Sequence, residues 1–222
     1  MNIFTIVQIT EPDYGCEETR RPEPAALLKL CPDTGAGADA GGNPNVGAEA
    51  RADASAGVRY FEVPERVIAE QGLAEGKKVT FGADGAIRKY VRVVVAIIRD
   101  PKRHPGRIFA TARGYGEYKG WWEFPGGKIE AGETPEEAIV REIREELAAT
   151  IRVSELFLTV EYDYERFHLS MDCFHAEVAA GKLTLREAAE ARWLAPEEFG
   201  DVRWLPADRE VVRRMMDAGK EG

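Results

Sequence analysis

The chain has 222 residues, 44% of them apolar and 31% charged, which is ordinary for a folded protein and enough for one large domain or two small ones. Its formal charge of −9 is spread along the length: 10 basic and 14 acidic groups in residues 1–90, 20 and 25 in residues 91–222. With no basic half to neutralise phosphates, the sequence argues against long nucleic acid as a partner.

Cys16, Cys31 and Cys173 are odd in number and lack CxxC spacing. They read as free thiols in a reducing compartment, and neither a zinc site nor a disulfide framework is supported. The longest apolar run, "VRVVVAII", is too short to span a membrane. The first residues, "MNIFTIVQITEPD", lack the basic start and apolar core of a signal peptide. The expectation is a cytoplasmic protein with no membrane partner.

In chain order, "IFTIVQI" (3–9), "ALLKLC" (26–31) and "VRYFEVP" (58–64) are rich in β-branched and aromatic residues and predict short strands. Residues 32–57, dominated by Gly, Ala, Asp and Asn without apolar periodicity, predict a flexible loop. "PERVIAEQGL" predicts a short helix, and "KKVTFGADGAIRKY" a hairpin turning between Gly82 and Gly85. Residues 1–88 therefore form a small β-rich module. From Tyr90 the pattern changes. "YVRVVVAIIRD" predicts a buried strand, "RIFATAR" (107–113) a second, and "WWEFPGG" a third. Next come a helix over 134–148, strands near 155–163, 167–178 and 190–196, and a closing amphipathic helix over 206–219. Interspersed strands and helices predict an α/β fold with a mixed sheet over 89–222.

The helix at 134–148 carries the chemistry. The segment "GGKIEAGETPEEAIVREIREEL" (126–147) holds seven acidic side chains in 22 positions. Thr134, Pro135 and Glu137 match a capping box, and Glu137 is spaced to pair with Arg141 across one turn. Ile139, Val140, Ile143 and Leu147 make the apolar stripe. Glu142, Glu145 and Glu146 occupy an arc of about 100° beside that stripe. Three carboxylates there repel each other unless a cation lies between them, and hard oxygen donors suit Mg²⁺ or Mn²⁺. A solvated acidic face is the bland alternative.

The wider spacing runs Gly127, five residues, Glu133, seven residues, then Arg141, Glu142, Ile143, one residue, Glu145 and Glu146. This resembles the Nudix box, with seven fixed positions in register. Ala148 departs from it, standing where the family has a glycine at the helix C-terminus. The resemblance covers roughly residues 90–216. It implies a Nudix-type α/β/α sandwich with a mixed β-sheet, preceded by the small module. "WWEFPGGKIEAGETPEEA" looks like the MutT-type branch, nucleoside triphosphate pyrophosphohydrolases that release a nucleoside monophosphate and pyrophosphate.

By that resemblance the metal ligands are the Gly126 carbonyl, Glu142, Glu145 and Glu146, braced by Arg141. A further glutamate, Glu187 in "LTLREAAEARWL", completes the set. Glu145 or Glu187 is the candidate base that takes a proton from the attacking water. Arg113 resembles a phosphate-contacting arginine, although a strand-end arginine in solvent reads equally well. Gly127 and the aromatic rings of Phe124 and Phe167 are candidates for substrate contact. Asp208, in "WLPADREVV", resembles the residue that touches the base, or else it caps the closing helix.

The resulting expectation is a Mg²⁺-dependent hydrolase of a small nucleotide, oxidised or non-standard, with a homodimer compatible with the extra module. Two rivals remain at this stage. One is another Nudix activity, on ADP-ribose, a nucleotide sugar or a dinucleoside polyphosphate. The other is a catalytically silent nucleotide sensor, which the intact glutamate set argues against.

Overall fold

Alternation of apolar and polar side chains turns the first segments of the chain into half-buried strands. The structure is a computed structural model that describes residues 1–11, 23–33, 51–53, 57–186 and 188–219. The chain divides into two compact units, Met1–Val91 with Asp163–His168, and Arg92–Tyr162 with Leu169–Gly222.

In the first unit, β1 (Phe4–Thr10), β2 (Ala25–Pro32), β3 (Arg51–Asp53) and β4 (Val58–Pro64) precede a helix, α1 (Glu65–Gln71), and β5 (Lys78–Phe81). Antiparallel ladders join β5 to β1, β1 to β2, β2 to β4 and β4 to β3. Phe4 and Ile6 of β1, Leu28 and Leu30 of β2, and Val79 of β5 share one buried core. The helix α1 ends at Gly72, which sits at φ 60° in the left-handed region that glycine enters without strain. The Gln71 side chain then clips the helix to the next strand. Its amide donates to the Ile87 carbonyl and its oxygen accepts from the Lys89 N–H, each at 3.0 Å. Most of the expected loop at 32–57 lies outside the described residues; of those described, Pro32 ends β2 and Arg51–Asp53 form β3.

The hairpin's second strand and the buried strand expected from Tyr90 are one element, β6 (Ile87–Asp100). Ile87–Val91 belongs to the first unit and Arg92–Asp100 to the second. The chain continues with β7 (His104–Ala112), β8 (Trp122–Glu123), β9 (Gly126–Lys128), α2 (Pro135–Leu147), β10 (Thr150–Asp163) and β11 (Phe167–Ala180), all in the second unit except Asp163 and the first two residues of β11. The second unit closes with β12 (Glu190–Leu194), a 3₁₀ turn (Pro196–Asp201) and α3 (Asp208–Ala218). Here "WWEFPGG" differs from the single strand expected. It splits into β8, paired with β7, and β9, paired with β6. Pro125 lies at the break, where it has no N–H to give a ladder, while its carbonyl accepts from the Ala96 N–H at 2.9 Å.

Antiparallel ladders and a parallel bridge between Trp122 and Trp204 make a mixed sheet, so the second unit has the α/β architecture expected. Its core joins Val94, Ala96 and Ile98 of β6 to Ile139, Ile143 and Leu147 of α2 and to Phe174 of β11. Full burial of each such side chain stabilises the fold by about 1.5–3 kcal/mol. Among the described residues, no helix is long and apolar enough to cross a membrane.

Candidate active site

The acidic helix is seated by local chemistry. The Thr134 hydroxyl accepts from the Glu137 N–H at 3.2 Å, and the Glu137 carboxylate accepts from the Thr134 N–H at 2.9 Å. This reciprocal cap contributes about 1 kcal/mol and fixes where the helix starts. Ala138, Ile139, Ile143 and Leu147 are buried, which orients Glu142, Glu145 and Glu146 along the edge of the core face. At the far end Ala148 takes a left-handed conformation, φ 50° and ψ 30°, so the helix terminates as a glycine would end it.

Arg141 does not pair with Glu137, which is committed to the cap. It reaches instead to Glu133 in a bidentate contact, Nε to Oε1 at 2.7 Å and Nη2 to Oε2 at 2.8 Å. The same guanidinium donates to Glu142 at 2.8 Å, to Glu145 at 3.3 Å and to the Lys128 carbonyl at 3.0 Å. One planar cation thus gathers three of the box carboxylates and the strand that carries the glycines. Its hydrogen bonds, with the Glu130 N–H, hold the Glu133 carboxyl down to about 2. The arginine is raised in turn by Glu133 and Glu142.

The two glycines of β9 have different duties. Gly126 sits at φ 155°, and a Cβ there would run into the Val94 carbonyl on β6. At Gly127 a Cβ would run into the Glu142 carboxylate. Gly127 is therefore a cradle, since the absent side chain is the space the carboxylate occupies. The Glu142 side chain keeps only 16% exposure, whereas Glu145 is 61% exposed.

Among the described residues no three His, Cys, Asp or Glu side chains lie close enough together to hold a metal ion. Glu142 and Glu145 are joined through Arg141 instead. Carboxylates and a peptide carbonyl are nonetheless hard oxygen donors. With the cradled Glu142, they fit a divalent cation such as Mg²⁺ in kind. Glu187, the remaining candidate ligand, lies outside the described residues.

Beside the helix opens a small, open cleft lined by Thr111, Arg113, Tyr115, Glu123, Glu146 and Leu147 among others. Arg113 donates to Glu123 across the β7–β8 ladder at 2.8 Å. Burial pushes the Glu123 carboxyl up, and Arg113 opposes that shift. Asp208 is buried at the start of α3 and accepts from the Phe124 N–H at 2.8 Å. Loss of hydration pushes it up to about 8, against the Phe124 hydrogen bond and with help from the nearby Glu123 charge. It caps nothing, because the α3 N-cap is Ala207 and no side chain caps that end.

Of the expected site residues, the structure joins Gly127 to Glu142, Glu142 and Glu145 to Arg141, Arg113 and Glu146 to one cleft, and Phe124 to Asp208. The Phe124 ring is buried and stacked on Trp204 at 5.0 Å, so its backbone rather than its face is what the site uses. Phe167 belongs to the first unit, where it stacks on Tyr164 at 4.6 Å. Glu123 and Tyr115 were not singled out from the sequence. The alternation Trp122-Glu123-Phe124 is a usable signal for Glu123, since it points that acid away from its two buried neighbours.

The NUDIX domain family matches residues 89–215. Among curated proteins, the 8-oxo-dGTP diphosphatase of Escherichia coli (strain K12) is 32% identical over 128 residues, covering 57% of this chain and 97% of the relative. The CTP pyrophosphohydrolase of the same organism is 31% identical over 129 residues, with 58% and 93% covered. Among solved structures, the MutT protein of Methanosarcina mazei Go1 aligns with a TM-score of 0.53 at 25% identity, covering 61% of this chain and 98% of that one. With the box residues, the arginine clasp and the glycine cradle in one place, these matches mean that the chain belongs to the Nudix family, as a pyrophosphohydrolase of its MutT type.

Proposed function

We propose that the protein hydrolyses a nucleoside triphosphate, oxidised or otherwise non-standard, to the nucleoside monophosphate and pyrophosphate with Mg²⁺ as cofactor. The observation that carries this reading is the Glu142 carboxylate, held between the Gly127 cradle and the Arg141 guanidinium. Such placement leaves a hard donor oriented before substrate arrives, which is what preorganised charge stabilisation requires.

Each residue then has a task. Glu142, Glu145, Glu146, Glu187 and the Gly126 carbonyl would hold Mg²⁺, and Mn²⁺ satisfies the same donors. The bound ion supplies phosphate charge neutralisation and a more acidic water. Glu145, the most exposed of the acids that Arg141 contacts, or Glu187 takes the proton of the attacking water. Arg113 faces the cleft with Glu146 and can exchange its Glu123 contact for a phosphate oxygen. Asp208, protonated near neutrality, offers both a donor and an acceptor to a base edge, which suits an oxidised guanine. The relatives named for 8-oxo-dGTP and CTP support the nucleotide class.

The test is release of nucleoside monophosphate, with pyrophosphate as the co-product from triphosphates, from a panel of ordinary and oxidised nucleoside triphosphates, ADP-ribose, nucleotide sugars and dinucleoside polyphosphates with Mg²⁺. Release from triphosphates is expected to dominate. Turnover of ADP-ribose or sugar nucleotides alone would overturn the substrate assignment, and no turnover at all would favour a silent sensor.

A further inference from the structure

The loop between β7 and β8, residues 113–121, is closed at its base. The Arg113 N–H donates to the Trp121 carbonyl and the Gly120 N–H to the Arg113 carbonyl, both at 2.9 Å. Half of its aromatic surface is packed. Tyr118 meets Trp121 edge-on at 5.1 Å, and the Arg203 guanidinium lies 3.6 Å over the Trp121 ring. Tyr115 is different. It is 63% exposed, and it is the one exposed aromatic side chain among the described residues.

A single exposed ring is ordinary by itself, and what sets Tyr115 apart is its place in the cleft beside Arg113. Tyr115 stands between Gly114 and Gly116, the latter at φ 79° with open space around it, so the ring can swing on its backbone. The Arg113 guanidinium lies 6.0 Å from the ring centroid. Tyr115, Arg113 and Glu146 line the same cleft. The cleft therefore has an acidic wall for metal and phosphates, a cation beside it, and a free π face.

We infer that Tyr115 is a stacking platform for the nucleobase and a determinant of affinity for base-bearing substrates. This rests on the reading of the site as a nucleotide hydrolase. A flat π surface beside a guanidinium fits an aromatic base, because stacking is insensitive to which base it is while a sugar or phosphate offers no face to match. The bare ring is the half of this contact that the protein supplies. Tyr115 thus supplies affinity shared by all bases.

The experiment is calorimetric titration of the wild-type protein, Tyr115→Ala and Tyr115→Phe with GMP, CMP and ribose 5-phosphate, alongside steady-state kinetics on the triphosphates. Expected for Tyr115→Ala is a roughly tenfold loss in affinity for both monophosphates and a matching rise in KM with little change in kcat. Tyr115→Phe should stay within about twofold of wild type, since the ring face is retained. Ribose 5-phosphate should bind all three proteins alike. Unchanged binding by Tyr115→Ala in a protein that releases pyrophosphate from triphosphates overturns the platform and leaves the reaction class standing. An equal loss for ribose 5-phosphate overturns it too, by showing a general disturbance of the cleft. A wild-type protein that neither binds nor cleaves nucleotides overturns both.

Discussion

Arg141 holds Glu133 in two parallel hydrogen bonds of 2.7 and 2.8 Å, eight residues back along the chain. The pair links the loop before α2 to the helix face that carries Glu142 and Glu145. Lysine keeps the charge but cannot form the fork. Arg141→Lys is therefore expected to lower kcat at least tenfold with only a modest fall in melting temperature. Pyrophosphate release and thermal denaturation on the same sample check this.

The same contact has a pH signature. Glu133 is held down to about 2, below its unfolded value of 4.5. A carboxylate with a depressed folded pKa contributes stability above the unfolded value, and that contribution fades as pH falls from about 4.5 toward 2. Urea midpoints measured between pH 6 and 2 should fall more steeply for wild type than for Glu133→Gln. Parallel curves would show the clasp to be idle.

Asp208 has the opposite sign. Its carboxyl is pushed up to about 8, so the unfolded chain loses this proton at lower pH than the folded one. Folding is favoured most below about pH 4, and the contribution is lost as pH rises toward 8, with a slope of at most about 1.4 kcal/mol per pH unit. Asp208→Asn keeps an oxygen for the Phe124 N–H and removes the titration. The stability of Asp208→Asn relative to wild type should therefore rise between pH 5 and pH 8, which melting curves at the two values will show.

Gly127→Ala and Gly126→Ala separate function from folding. At Gly127 the obstacle is the Glu142 carboxylate, a side chain that can swing away. Turnover should fall by more than tenfold with a small loss of stability. At Gly126 the obstacle is the Val94 carbonyl, fixed in the β6–β9 ladder, and φ is 155°. That variant should lose several kcal/mol of stability in denaturant titrations.

Ala148 is the described non-glycine residue with a positive φ. A left-handed alanine costs roughly 1–2 kcal/mol, part of which glycine gives back as entropy of the unfolded chain. Ala148→Gly is expected to raise the melting temperature by about 2–4 °C and to leave activity alone. Differential scanning calorimetry decides the sign.

Local patterns in the sequence carried much of the fold. Richness in β-branched and aromatic residues located β1, β2 and β4, and the capping box located the start of α2 to within a residue. Contacts between distant segments were not legible in that way. Asp208 and Phe124 are 84 residues apart, and only the folded sheet shows that the acid accepts a hydrogen bond rather than capping α3. Arg141 had two glutamates in reach, and the sequence alone favoured Glu137 because a helical spacing is easy to see. Glu133 wins because Glu137 is already spent on the cap. Glu123 was legible only in part, since the alternation Trp122-Glu123-Phe124 sets the acid apart while its contact with Arg113 is tertiary. "WWEFPGG" read as one strand because its composition is uniform, while its ladder partners, which change at Pro125, are tertiary.

The two hydrogen bonds at Arg113 have one more implication. By stapling the neck of the β7–β8 loop at Trp121 and Gly120, they isolate residues 114–119 from the register of the sheet. That segment is an interchangeable cassette: its length and lettering can be rewritten by drift or by an engineer while the strands on either side keep their partners. Changes of substrate in this lineage can then accumulate there, one loop at a time, without renegotiating the catalytic helix.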